Sequence, residues 1–358
     1  MTGEAVTPRW EGRTARPLGD SFTFLVAGYG SGPPYGLHCF VWDGRSWRGD
    51  QLAQVDHLSA LAAHPTAPVV YGVSGNPDGG WLHAWDTSLA PVSDIGTPIP
   101  VGREPCHVAV DDSGTWVAVT NYGSGSIAVV PLARDGTFAG SPTVLALDGS
   151  GPDARQESSH PHQAVFHDGH LCVPDLGADV VRLVDVCVED GGAPALSERR
   201  TLAVPPGTGP RHLVVLPDNR FALSGELTSS VMLLDDDDDD DGSGSGQCAI
   251  VSSTDRSVGP IRNYPGDIRR SEDGRTIYVA NRGLDTIAAF TVLGAHLTPL
   301  VEVAAGVQWP QHQHVVGDCL FVAGRESSNV VALSIGAHGL GAAKLQFDCP
   351  GASWLQPI

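Results

Sequence analysis

The chain is short of positive charge. Its 21 lysines and arginines stand against 41 aspartates and glutamates, a formal net charge of −20. A nucleic-acid partner held by phosphate contacts is therefore excluded. Seven of the negative charges form one run, Asp235 to Asp241, so an anion can be bound only through a local basic cluster. Long apolar runs are also missing. None spans a bilayer, which argues against a membrane partner, and the N-terminal "MTGEAVTPRWEGRTARPLGD" has no signal-peptide core. A cytoplasmic protein is expected. No CxxC occurs, and the seven cysteines (Cys39, Cys106, Cys172, Cys187, Cys248, Cys319 and Cys349) are odd in number. That predicts buried, reduced thiols and no disulfide framework. Finally, no long amphipathic helical pattern is present. The 44 glycines and 27 prolines in 358 residues instead suit many short strands joined by turns.

What the chain does have is a repeat. Five segments open on a proline and follow one plan: "EPCHVAVDDSGTWVAVTNYGSGSIAVV", "HPHQAVFHDGHLCVPDLGADVVRLV", "GPRHLVVLPDNRFALSGELTSSVMLL", "YPGDIRRSEDGRTIYVANRGLDTIAAF" and "WPQHQHVVGDCLFVAGRESSNVVAL". The marker prolines Pro105, Pro161, Pro210, Pro265 and Pro310 are 56, 49, 55 and 45 residues apart. Each unit reads as strand A, a tight turn, strand B, a polar loop and strand C, with room for a fourth strand. The turns "DDSG", "HDG", "PDN", "EDG" and "GD" supply residues that tolerate left-handed backbone. Such a unit is a propeller blade. A weaker copy, "LSALAAHPTAPVVYGVSGNPDGGWLHAW", precedes the five, and "FTFLVAGYGSGPPYGLHCFVW" starts another. The expectation is an all-β, seven-bladed β-propeller of four-stranded antiparallel blades over residues 22–358, after an extension at 1–21. "AKLQFDC" is expected to close the ring. The run "DDDDDDDGSGSG" at 235–246 reads as a disordered surface loop, because like charges cannot pack. It lacks the alternating ligand spacing of a calcium loop.

Strand A of a blade lines the central channel, and A and B are antiparallel. The start of A and the end of B therefore meet on one face, beside the axial opening. At the starts of A stand Cys106 and His107, His160 and His162, Arg211 and His212, Gly266 and Asp267, and His312 and His314. At the ends of B stand Asn121 and Tyr122, Asp175, Glu226, Asn281 and Arg282, and Arg325 and Glu326. Asn121, Glu226, Asn281 and Glu326 all fall 16 residues after a marker proline. Imidazoles, guanidiniums and carboxylates thus gather at one mouth, as hydrolysis or proton transfer needs. Buried, Glu226 needs a cationic partner, and Arg211 in the same hairpin is the natural one. Asn121, Asp175 and Asn281 could instead satisfy loop backbone. The i, i+2 pairs His160/His162 and His312/His314 could face a metal, but no cysteine or carboxylate cluster accompanies them. No metal or cofactor is expected.

These segments resemble the 6-phosphogluconolactonase family of seven-bladed propellers, which includes 3-carboxy-cis,cis-muconate lactonizing enzymes. NYG, HPH, PDLGAD, GPRH and NRG occur in order, and the likeness covers roughly residues 22–335. It implies hydrolysis of 6-phosphogluconolactone in the pentose phosphate pathway, with a small anionic sugar lactone as the partner. It implies catalytic roles for His162 of HPH, Arg211 of GPRH, Glu226 and Arg282 of NRG. Glu226 or His162 would be the base, and the arginines would hold phosphate or oxyanion. His160, His212, Asn121, Tyr122, Asp175 and Asn281 are expected to contact substrate. The chain departs from the family in having Gly225 before the glutamate, in its poly-Asp run and in its last repeat. A muconate-type cycloisomerase and a non-catalytic binding platform are the alternatives. Monomer and dimer both stay open.

Overall fold

The computed structural model describes residues 21–88, 92–188, 194–235, 251–252, 262–337 and 339–358. They form seven antiparallel sheets. The chain belongs to the all-β class; no helix occurs among the described residues. In blade 3 the strands run outward as Pro105–Val110, Trp116–Asn121, Ser126–Pro131 and Thr143–Ala146. Blade 5 repeats the order as Pro210–Val215, Phe221–Gly225, Ser230–Leu234 and Val251–Ser252, and blade 6 as Tyr264–Arg270, Thr276–Arg282, Thr286–Leu293 and His296–Ala304. First strands of successive blades touch one another, so they are innermost.

The core explains this arrangement. The second and third strands are apolar on both faces and fully buried, because each sheet is covered by a blade on either side. Outer strands alternate, as in Thr143–Ala146. Core clusters accordingly lie between blades. Cys172, Val181 and Leu183 of blade 4 pack on Phe221, Leu223 and Met232 of blade 5. Fully burying each large side chain contributes about 1.5–3 kcal/mol. The predicted A–B turns take left-handed backbone: Asn219 has φ 65°, and Asp168 and Gly169 have 47° and 79°, a pairing that suits a type I′ hairpin.

Ring closure differs from expectation. Lys344–Asp348 of "AKLQFDC" pairs with Asn329–Gly336 as an outer strand of blade 7. Its exposed Lys344 and Leu345 beside buried Phe347 suit an edge, not a channel wall. Closure is made by Ala352–Pro357, which is buried and pairs with Phe22–Gly28 as the innermost strand of blade 1. The thiols differ too. Cys172 and Cys349 are buried, Cys39, Cys106 and Cys319 half-buried and Cys187 exposed, all free; Cys248 lies outside the described residues. So do the 235–246 run, apart from Asp235, and the 1–21 extension, apart from Ser21.

Candidate active site

Every blade carries the same irregularity. In blade 3, Pro105 pairs with Asn121 and His107 with Thr120, leaving Cys106 as one extra residue on the inner strand. The same bulge sits after Ala352, Leu58, Pro161, Pro210, Pro265 and Pro310. A bulge bends the strand and re-aims a side chain. Here it turns one residue per blade toward the axial mouth: Ser353, Ser59, Cys106, His162, Arg211, Gly266 and Gln311. All but Gly266 line a single cavity of about 290 Å³. The residues that follow the partners of Ala352, Leu58, Pro105, Pro210, Pro265 and Pro310 form a companion ring, to which Tyr29, Gly75, Tyr122, Glu226, Arg282 and Arg325 contribute lining. The site is thus two rings, one from the bulges and one from the ends of the B strands.

Charge concentrates on one side of it. Glu226 is buried and meets three guanidiniums. Arg282 Nη2 is 2.5 Å from Oε2, Arg155 Nη1 is 2.6 Å from Oε1, and Arg211 Nε is 2.9 Å from Oε2. Burial favours the neutral acid, but Arg282 and Arg211 outweigh it and hold the carboxyl far below the usual range. Arg211 is itself fully buried; desolvation and the neighbouring Arg282 push its pKa down to about 9, so it remains charged at neutral pH. Its Nε and Nη1 donate no hydrogen bond to any described residue, despite the short ion-pair distance. Buried donors left this way ask for an acceptor. Arg155 also reaches the Tyr122 hydroxyl at 3.4 Å. Arg325 lies over the Tyr29 and Trp309 rings, and Trp309 also carries Arg282.

His162 and His212 line the cavity, their rings 5.4 Å apart. Burial and the Arg211 charge hold both well below the usual imidazole value, so both are neutral at pH 7. Cys106 hydrogen-bonds backbone carbonyls of Pro161 and His162, and burial pushes its thiol up to about 11. It is not a thiolate nucleophile at neutral pH.

The structure thus gathers Glu226, His162, Arg211, Arg282, His212 and Tyr122 around one cavity. Four other expected contacts do not line it. His160 stacks on Tyr122, ring centroids 4.3 Å apart, and bonds the Tyr122 carbonyl. Asp175 is fully buried; it accepts from Ser159, from the His160 amide and from Arg182, and so holds the loop that carries His162. Asn121 bonds the Val101 carbonyl and Ser126. Asn281 bonds Asn263, Thr286 and Glu302. Asp175, Asn121 and Asn281 each face the marker proline of their blade, where the side chain turns back into the blade. The paired histidines diverge: His160 faces Tyr122 while His162 enters the cavity, and His312 packs on Trp354 while His314 meets Phe24. Arg155 has no counterpart in the sequence reading, because it lies in the loop before a blade, outside any strand.

Gly266 fills the one bulge without a side chain, and the reason is spatial. An added Cβ would lie 3.0 Å from Arg282 Nε and 3.2 Å from its Cδ. Gly266→Ala should displace Arg282 by a few tenths of an ångström and lower kcat/KM about 10-fold. Its backbone needs no left-handed conformation, so the melting temperature should stay within a few degrees. Steady-state kinetics beside thermal unfolding would check this; unaltered kinetics would show that Arg282 tolerates the shift.

A seven-bladed propeller whose axial mouth carries a guanidinium cluster around a buried carboxylate is an anion-handling enzyme scaffold. The chain matches "Lactonase, 7-bladed beta-propeller" over residues 23–356 and belongs to that family of lactone hydrolases. A 6-phosphogluconolactonase of Bacillus subtilis is 29% identical over 301 residues, covering 80% of this chain and 82% of that protein. A solved Lactobacillus plantarum protein superposes with a TM-score of 0.84 at 26% identity, covering 94% of this chain and 99% of its own. The periplasmic gluconolactonase PpgL of Pseudomonas aeruginosa shares the fold at 22% identity, with a TM-score of 0.81 over 94% of this chain and 99% of that one. Among the described residues, no helix is long and apolar enough to cross a membrane.

Proposed function

We propose that the protein hydrolyses 6-phosphogluconolactone to 6-phosphogluconate. The observation that carries this reading is the buried Arg211, whose Nη1 has no acceptor among the described residues, beside Arg282 and Arg155. Four arginines line the cavity against two glutamates, Glu226 and Glu104. That leaves an excess of positive charge inside an acidic protein, suited to a phosphorylated substrate. The B. subtilis relative, named for this activity, supports the same substrate.

Attack of water on the lactone carbonyl builds negative charge on its oxygen. Guanidiniums already fixed around Glu226 would meet that charge without reorganising. Glu226 is unsuited to be the base, because three cations stabilise its charged form. It organises the arginines instead. The imidazoles of His162 and His212, neutral at pH 7, are the available proton acceptors. A phosphorylated substrate goes with a cytoplasmic enzyme of the pentose phosphate pathway, a free gluconolactone with a location like that of PpgL. The test assays the purified protein on 6-phosphogluconolactone, unphosphorylated gluconolactone and a carboxymuconate. The expected order puts the phosphorylated lactone first by at least 10-fold in kcat/KM. Lactone opening no faster than the spontaneous rate would refute the proposal, and turnover of the muconate alone would replace it with the cycloisomerase.

A further inference from the structure

Beneath the arginine cluster the channel is filled by a polar network that the reading above leaves without a role. Asp267, of the blade 6 inner strand, is fully buried at its centre. Its Oδ1 lies 3.0 Å from His212 Nδ1. Its Oδ2 accepts from Arg269 Nε at 3.0 Å and from the Gln313 amide at 2.8 Å. Burial favours the neutral acid, yet Arg269, His312 and the Gln313 amide leave the carboxyl below its usual value. An ionised carboxylate only accepts hydrogen bonds. His212 Nδ1 must therefore carry the ring proton, and Nε2 holds the lone pair. No described residue hydrogen-bonds Nε2, and the His212 ring lines the cavity.

His162 has no such support. Its Nδ1 is buried without a hydrogen-bond partner among the described residues, and only ring contacts with Tyr122 and His212 hold it. A base whose tautomer and direction are fixed by a third group is the arrangement catalysis uses.

We infer that His212 is the general base of the lactonase site and that Asp267 positions it. The attacking water forms its bond to the lactone carbonyl carbon while its proton passes to His212 Nε2, and the carbonyl π pair moves to oxygen. When the carbonyl re-forms, the ring C–O bond breaks and the ring oxygen takes that proton back from Nε2. His212 ends neutral; the new carboxylic acid loses its remaining proton to solvent. Asp267 opposes the charge that appears on the ring midway. Facing His212 are Arg211, Arg282, Arg269, His107, His162 and His312, beside Asp267. An anionic substrate seated on Arg211 and Arg282 offsets their repulsion of an imidazolium, so base strength rises when substrate is bound.

His212→Asn tests this, because an asparagine amide can still donate toward Asp267 while Nε2 is lost. The folded variant should lose at least 100-fold in kcat with KM within threefold. Its residual enzymatic rate, corrected for spontaneous opening, should rise about 10-fold per pH unit between pH 7 and 8.5, as hydroxide replaces the missing base. Asp267→Asn should lower kcat about 10-fold with KM unchanged. Retention of kcat within threefold in His212→Asn, or a residual rate flat with pH, would overturn the inference; the same loss in His162→Asn instead would move the base to His162. Should the variants not fold, ¹⁵N NMR of the wild-type protein decides: His212 protonated on Nδ1 at pH 7.5 supports the assignment, and protonation on Nε2 rejects it. The inference rests on the lactonase reading. A wild-type protein that opens no lactone defeats that reading, whereas an active His212→Asn defeats only the base.

Discussion

Glu226→Gln should lose at least 100-fold in kcat and about 3–5 kcal/mol of stability, while binding the anionic product more tightly. Each effect follows from the three guanidiniums around that carboxylate. Removing one partner of a buried charge network leaves the others uncompensated, and that is the usual cost. Glutamine is nearly isosteric, so no cavity forms. Its amide nitrogen, however, is a donor placed against guanidinium donors. Arg211, already short of acceptors, would then face Arg282 with nothing between them. The guanidiniums would part, and a loosened oxyanion site typically loses 10²–10³ in turnover. The cavity would also gain one positive charge, so 6-phosphogluconate should inhibit at lower concentration. Urea unfolding, steady-state kinetics and product inhibition measure the three effects. A variant that keeps a third of wild-type kcat would show that the carboxylate does not organise the arginines.

Much of this was legible because propellers repeat. Proline-led segments placed the blades, and the antiparallel A–B hairpin placed the mouth. Eight of the residues chosen on that ground meet at the cavity. What failed was counting. The position 16 residues after the marker proline aligns Glu226 with Asn121 and Asn281, but the pairing does not. Pro105 and Pro265 face Asn121 and Asn281, whereas Pro210 faces Gly225, one residue earlier. The blade 5 hairpin is one residue shorter, so Glu226 aligns with Tyr122 and Arg282, just past the residue that faces the marker proline, where side chains face the mouth. Hairpin length is a local property that alternation of apolar residues does not reveal. Arg155 stayed hidden for a related reason: loop residues have no register to count. "ASWLQP" lacks the marker proline, so the closing strand passed unnoticed, although its serine and tryptophan occupy the bulge positions.

Acidification should unfold the protein near pH 5, above the range in which its carboxylates titrate. His107, His212 and His312 are buried in the channel core, and burial, with charges around it, lowers all three pKa values, that of His107 to about 3. The sign is fixed by where the protons bind. Above the usual imidazole value of 6.5, neither folded nor unfolded chain is protonated at these sites, and stability is complete. Below it the unfolded chain takes up protons that the folded chain refuses, until the pH reaches the folded values. Each such histidine costs at most about 1.4 kcal/mol per pH unit while the pH lies between its unfolded and folded values, so three cost at most roughly 4. The fall from pH 6.5 to 5 then removes up to about 6 kcal/mol, comparable with the whole stability of a marginal domain. Half-buried His83 and His314, both lowered to about 4, add to the loss. Glu226 and Asp267, with depressed folded values, extend it at lower pH, below the ordinary carboxylate range. Urea midpoints measured at pH 8, 7, 6 and 5.5 should fall steeply between the last three, and unchanged midpoints would mean that the channel accepts protons when folded. Since the substrate-free folded protein resists protonating these rings, activity lost on acidification should track unfolding seen by circular dichroism, and both should recover together on neutralisation. An anion bound at the arginine cluster would shift the transition to lower pH, because it binds only the folded mouth.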